Sequence, residues 1–196
     1  VAQEPEPTPA LPRPLLVVAV GLPALLAAGV AAAGLFFGAG VKDDPVADTT
    51  APDRSGPLAL VPVPAGAAES EECAALLSGL PMKLVSNGVT LPRRELANPA
   101  PAGAVAWGDA EHDPVVLRCG LDRPAELKPD SQLRSISDVQ WIEVSEGGST
   151  TWFVVDRPVY VALTVPSDSG TGPLQDVSTT VRDALAKGPV DTAGPN

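Results

Sequence analysis

The residues best suited to chemistry in this sequence are Cys73 and Cys119, its two cysteines. They lack the Cys-x-x-Cys spacing of a redox motif. A single pair in the larger part of the chain fits a disulfide formed in an oxidising compartment. The alternative is two buried free thiols. His112 is the only histidine and stands among Asp109, Glu111 and Asp113. Carboxylates beside an imidazole can bind a divalent ion or move a proton. The same polar run ending at Pro114 also describes a solvated hairpin tip, and that reading is preferred. A Ser/His/Asp hydrolase would have to use His112, and no Gly-x-Ser-x-Gly elbow accompanies it. The run Ser167-Asp168-Ser169-Gly170-Thr171-Gly172 lacks the lysine of a phosphate-binding loop and reads as a flexible connection. No catalytic, cofactor-binding or metal site is therefore assigned. Trp107, Trp141, Trp152 and Tyr160 are candidates for a ligand groove, although aromatics at strand positions more often fill a core or pair across strands. Arg118 and Arg157 are read as flanking strand ends, able to take a ligand carboxylate or to pair with Asp156 or Asp122.

These residues need elements to hold them. Ser70 followed by Glu71 and Glu72 is a helix start, with a capping hydroxyl and acids at the positive end. Cys73, Leu76, Leu77 and Leu80 then share one helical face, which Gly79 and Pro81 end. Residues 84–102 read as turn-rich, with Asn87-Gly88 suited to positive φ. Val105–Trp107, Val115–Cys119, Val139–Val144, Thr151–Val155 and Val159–Val165 read as strands. The last has the clearest alternation. A helix is expected from Pro173 to Lys187 on the stripe Leu174, Val177, Val181, Ala184 and Leu185, with Gly188 as the C′ residue. Strands joined by short turns pair antiparallel. The expected class is α+β: a small antiparallel sheet covered by two helices.

The flanks differ in composition. The 28-residue run from Pro14 to Val41 carries no charge, and about 20 apolar residues cross a bilayer core. It is about twice a signal-peptide core, so a transmembrane signal anchor is expected, with cleavage near Gly38-Ala39-Gly40 as the alternative. Residues 1–13 read as a disordered cytoplasmic tail, residues 42–69 as a Pro/Ala-rich linker, residues 70–187 as the extracytoplasmic domain and residues 188–196 as a disordered tail. The Leu58–Pro64 stretch is the part of the linker able to add an edge strand. Arg13 and Lys42 flank the apolar run almost symmetrically, so charge barely sets orientation. The cysteine pair favours the domain outside. A net charge of −11 argues against nucleic-acid binding, which needs a basic stripe.

Several stretches together resemble a known family. They are Cys73-Ala74-Ala75-Leu76-Leu77 with Leu80-Pro81, Ala106-Trp107-Gly108, Val115-Val116-Leu117-Arg118-Cys119-Gly120, Val139-Gln140-Trp141, and Thr151-Trp152-Phe153 running into Asp156-Arg157-Pro158-Val159-Tyr160-Val161-Ala162-Leu163. Their order over residues 70–185 is similar to the actinobacterial family known as domain of unknown function 3515. The resemblance implies a secreted or membrane-anchored envelope protein and assigns no activity. The expected function is a non-enzymatic accessory or binding module of the cell envelope. Its expected partners are the lipid bilayer, through residues 14–41, and an envelope protein complex. The alternatives are a small-ligand carrier with a pocket between sheet and helices, and an extracytoplasmic hydrolase.

Overall fold

The structure is a computed structural model and describes residues 56–192. The expected transmembrane segment, the N-terminal tail, the first half of the linker and the last four residues lie outside the described residues. Among the described residues, no helix is long and apolar enough to cross a membrane.

Helix α1 spans Glu71–Gly79, and Ser70 Oγ accepts the Cys73 amide at 3.2 Å. Glu71 and Glu72 fill its first turn, where the helix dipole favours negative charge. Its C-terminus is closed by a side chain from elsewhere. Arg93 donates through Nε to the Pro81 carbonyl and through Nη2 to the Leu80 carbonyl, each at 3.2 Å. The same guanidinium lies 5.1 Å from the ring centre of Trp107, whose indole N–H also donates to Pro81, at 2.9 Å.

Eight strands follow: β1 (Lys83–Ser86), β2 (Val89–Arg94), β3 (Ala104–Trp107), β4 (Val115–Leu121), β5 (Arg134–Ile136), β6 (Val139–Glu146), β7 (Ser149–Val154) and β8 (Tyr160–Pro166). Helix α2 (Gly172–Ala184) closes the order. The strands form one sheet in the order β1-β2-β3-β4-β8-β7-β6-β5, and every pairing is antiparallel. The sheet is thus two four-stranded meanders joined where β8 pairs with β4, Leu117 opposite Leu163. Three of the hairpins turn on two residues of positive φ: Asn87-Gly88, Ser137-Asp138 and Gly147-Gly148. Such turns match the right-handed twist of the strands they join.

The antiparallel sheet with two helices agrees with the expected class, but the sheet is large rather than small. β1, β2 and β5 are additional to the strands read from the sequence. One face carries the core. Leu84, Leu91, Trp107, Leu117, Cys119, Trp141, Val154, Val161 and Leu163 pack there with Cys73, Leu76 and Leu80 of α1 and Leu174, Val177 and Val181 of α2. The period-2 alternation of the strands sends the intervening side chains to the opposite face. A smaller cluster of Leu127, Ile142 and Val155 lies apart from this core, with Phe153, Tyr160 and Val190 against it.

Two boundaries differ from expectation. α2 stops at Ala184, and Leu185 is already extended (φ −121°, ψ 132°). Gly188 is no C′ residue; its amide donates to the Asp156 carbonyl at 2.8 Å, drawing the chain toward the β7–β8 corner. The linker reading also fails over its last part. Leu58 bridges Leu96 in parallel, donating to the Glu95 carbonyl at 2.8 Å and accepting from Ala97 at 2.9 Å. The Ala67 amide donates to Gly120 at 3.1 Å. Gly120 has φ +82°, and a Cβ there would stand 2.2 Å from both Ala67 C and Ala68 N. The approach therefore requires glycine.

Candidate functional site

Cys73 and Cys119 are joined, with a Cα–Cα distance of 5.7 Å and a sequence separation of 46. The bond ties the first turns of α1 to β4, and both residues are fully buried. It is a structural crosslink inside the core, shielded from exchange with solvent thiols.

The β3–β4 loop holds the histidine as a fixed unit. Asp109 Oδ1 accepts the backbone amides of Glu111 (2.9 Å) and His112 (2.7 Å). The His112 Nδ1 lies 3.0 Å and 2.9 Å from the two carboxylate oxygens. The His112 amide, then the His112 ring, hold the Asp109 carboxyl below the usual carboxylate range. The carboxylate can only accept, so Nδ1 carries the hydrogen donated to Asp109, and this fixes the orientation of the ring. The loop meets the β1–β2 turn and the β8–α2 connection. Together they enclose a cleft of about 150 Å³ lined by Ser86, Asn87, Leu91, His112, Asp113 and Asp168, among others.

The other polar groups of the cleft hold its walls together. Asn87 Nδ2 donates to the Asp168 carbonyl at 2.6 Å, and Ser86 Oγ accepts the Gly170 amide at 3.2 Å. The connection from Ser167 to Gly172 is thus pinned to β1 rather than loose. Among the described residues no group of three or more His, Cys, Asp or Glu side chains is placed to hold a metal ion.

Asp156 and Arg157 form a second polar unit, at the β7–β8 corner. The Arg157 Nη1 lies 2.8 Å from Asp156 Oδ2, in an ion pair too bent to be a hydrogen bond, and both side chains are 1% exposed. Asp156 Oδ1 accepts the Gln140 amide at 3.1 Å. Arg157 donates to the carbonyls of Asp156 (3.1 Å) and Asp138 (2.9 Å). With Gly188 on the Asp156 carbonyl, this pair fastens the β5–β6 turn, the β7–β8 corner and the chain after α2. Arg157 has the partner the sequence suggested, and its role is internal.

Arg118 does not flank a strand end: it lies inside β4, opposite Ala104 and Ala162, and pairs with neither Asp156 nor Asp122. The four aromatics do not meet in a groove. Trp107 and Trp141 are fully buried in the helix-facing core, and Trp152 packs beside them. Tyr160 belongs to the smaller cluster on the opposite side. The helix-facing layer is where apolar area is removed from water, and these rings fill it. Two features escaped the sequence reading: the His112 ring locked on Asp109, and the unpaired Arg118 facing away from the helices. The run Asp109-Ala110-Glu111-His112 carried a signal for the first, an Asp three residues before a His in a loop. Nothing local signalled the second, because it depends on the strand register.

No curated protein and no solved structure matches the chain. The family described as "Protein of unknown function (DUF3515)" matches residues 22–190, and the chain belongs to that family.

Proposed function

We propose that the protein is a non-enzymatic binding module of the actinobacterial cell envelope. The apolar run 14–41 tethers it to the membrane and its folded domain stands outside the cytoplasm. The observation that carries this reading is the buried Cys73–Cys119 disulfide. Structural disulfides persist in oxidising compartments and are rare where thiols are kept reduced. The uncharged length of residues 14–41 supports the tether. A binding rather than catalytic role is supported by how the reactive groups are engaged. Ser86 holds the Gly170 amide, Asp156 pairs with Arg157, and both cysteines are spent in the buried disulfide.

The test is fractionation of cells making the full chain, followed by alkylation of unfolded protein with a mass-tagging maleimide. The expected result is protein in the membrane fraction, resistant to carbonate extraction, with neither cysteine modified until reductant is added. Full-length protein in the cytosolic fraction with both thiols tagged would sink the proposal.

A further inference from the structure

The sheet face turned away from the helices contains a half-buried charge, Arg118, that no described residue answers. Leu117 and Cys119 point into the helix-facing core, so Arg118 between them points to the other face. Its cross-strand partners are Ala104 on β3 and Ala162 on β8, and Phe153 lies beyond Ala162 on β7. Two residues along β8 from Ala162 stand Tyr160 and Thr164. No acidic residue occupies an opposite or diagonal position. Arg118 Nη1 is closed off from solvent and has no hydrogen-bond partner. Nε and Nη2 make no hydrogen bond to the described residues either. The side chain is half-buried, and burial draws its pKa below the ordinary value.

A guanidinium in this state is costly, because a desolvated charge is normally paired. The other arginines near the same half of the sheet are committed. Arg93 closes α1, while Arg94 donates to the carbonyls of Asp109 at 3.4 Å and Gly56 at 3.0 Å. The alanines on both sides carry no polar side-chain atom that could answer the charge.

We infer that Arg118 is the anchor of a carboxylate-binding site on the outer face of the sheet, receiving the ligand across its Nε–Nη2 edge. That edge presents two parallel N–H donors at the spacing of a carboxylate's two oxygens. One fork with no second cation beside it matches a singly charged planar anion better than a phosphate, which the net charge of −11 would also repel more strongly. The occupant is a carboxylate-bearing small molecule or peptide end. The inference stands on the sheet register and holds whether or not the domain is displayed at a membrane.

The test uses the full chain in mild detergent. It reads the Arg118 Nε–H resonance and the thermal midpoint, with acetate and N-acetylalanine as probes and chloride and phosphate at matched ionic strength as controls. The two carboxylates should shift the resonance saturably, with millimolar-range affinity, and raise the midpoint. Arg118→Lys keeps the charge without the fork and should weaken the response at least about tenfold. Arg118→Met should raise the midpoint of the unliganded protein and abolish the carboxylate response, because it removes an unpaired charge and its ligand together. The inference is overturned if phosphate acts as strongly as the carboxylates, or if no probe is felt up to about 100 mM. It is equally overturned if Arg118→Met lowers the unliganded midpoint, which would mark the guanidinium as structural.

Discussion

Reducing the Cys73–Cys119 bond should cost the domain a large part of its stability, and the structure sets the size. The bond closes a loop with its ends 46 residues apart. In the chain-entropy model, opening a loop of that length frees the unfolded chain by about 4 kcal/mol. Domains commonly have about 5–15 kcal/mol in total, so the reduced form is left close to its threshold. For a domain of roughly 130 residues each kcal/mol moves the thermal midpoint by about 3–4 °C, so reduction should lower it by about 12–16 °C. The assay is calorimetry on oxidised protein and on protein unfolded and refolded in reductant. The variant Cys73→Ala/Cys119→Ala should fall slightly further, since removing two buried sulfurs leaves small voids. Cys119→Ala alone should nearly match the double variant, because either change opens the same loop. A drop on reduction of less than about 3 °C would refute the reasoning. It would mean that the unfolded chain is already compact enough for the crosslink to constrain little.

Asp156→Asn should destabilise by about 3–5 kcal/mol in urea unfolding, because it strands the buried Arg157 guanidinium. Replacing both partners with apolar residues should cost less than that single change. Gly120→Ala should cost about 2–5 kcal/mol, since its methyl meets the backbone of Ala67 and Ala68 at 2.2 Å. Gly88→Ala, at φ +83° but with nothing within 4 Å, should cost about 1–2 kcal/mol from the backbone conformation alone. Carbon-13 titration of the Asp109 carboxyl should give a midpoint below the ordinary aspartate value, and His112→Ala should raise it only part of the way. The largest cause is the His112 backbone amide, which the variant keeps. A folded-state pKa below the unfolded one stabilises above the unfolded value. The contribution of Asp109 is therefore present at neutral pH and is lost as pH falls through the depressed folded pKa.

The elements with strong local patterns were legible in the sequence. Ser70 with two glutamates marked α1, and the alternation from Val159 to Val165 marked β8. What was missed had physical reasons. β1 and β2 each bury few side chains, and Pro92 inside β2 reads as a breaker. β5 has three residues and turns into β6 through Ser137-Asp138, where positive φ at both positions would ordinarily signal itself with glycine or asparagine. The end of α2 was misplaced because Gly188 looks like a cap, whereas a hydrogen bond from a distant corner draws that segment away. The disulfide partners were readable because only two cysteines exist. The aromatic groove was not, since a face is decided by register, and Tyr160 falls opposite the three tryptophans. Arg118 was visible as a residue, but its isolation came from two alanines supplied by strands that precede and follow it in the chain.

The junction of the two meanders has a consequence for how the chain is made. β4 is finished at residue 121, but the strand that covers its open side, β8, is the last strand made. A chain emerging N-terminus first therefore presents a bare strand edge for the time needed to add some forty further residues. Both thiols already lie in the emerged half during that interval. The crosslink between α1 and β4 needs no residue of the second meander, but the β4 edge stays bare until β8 pairs with it.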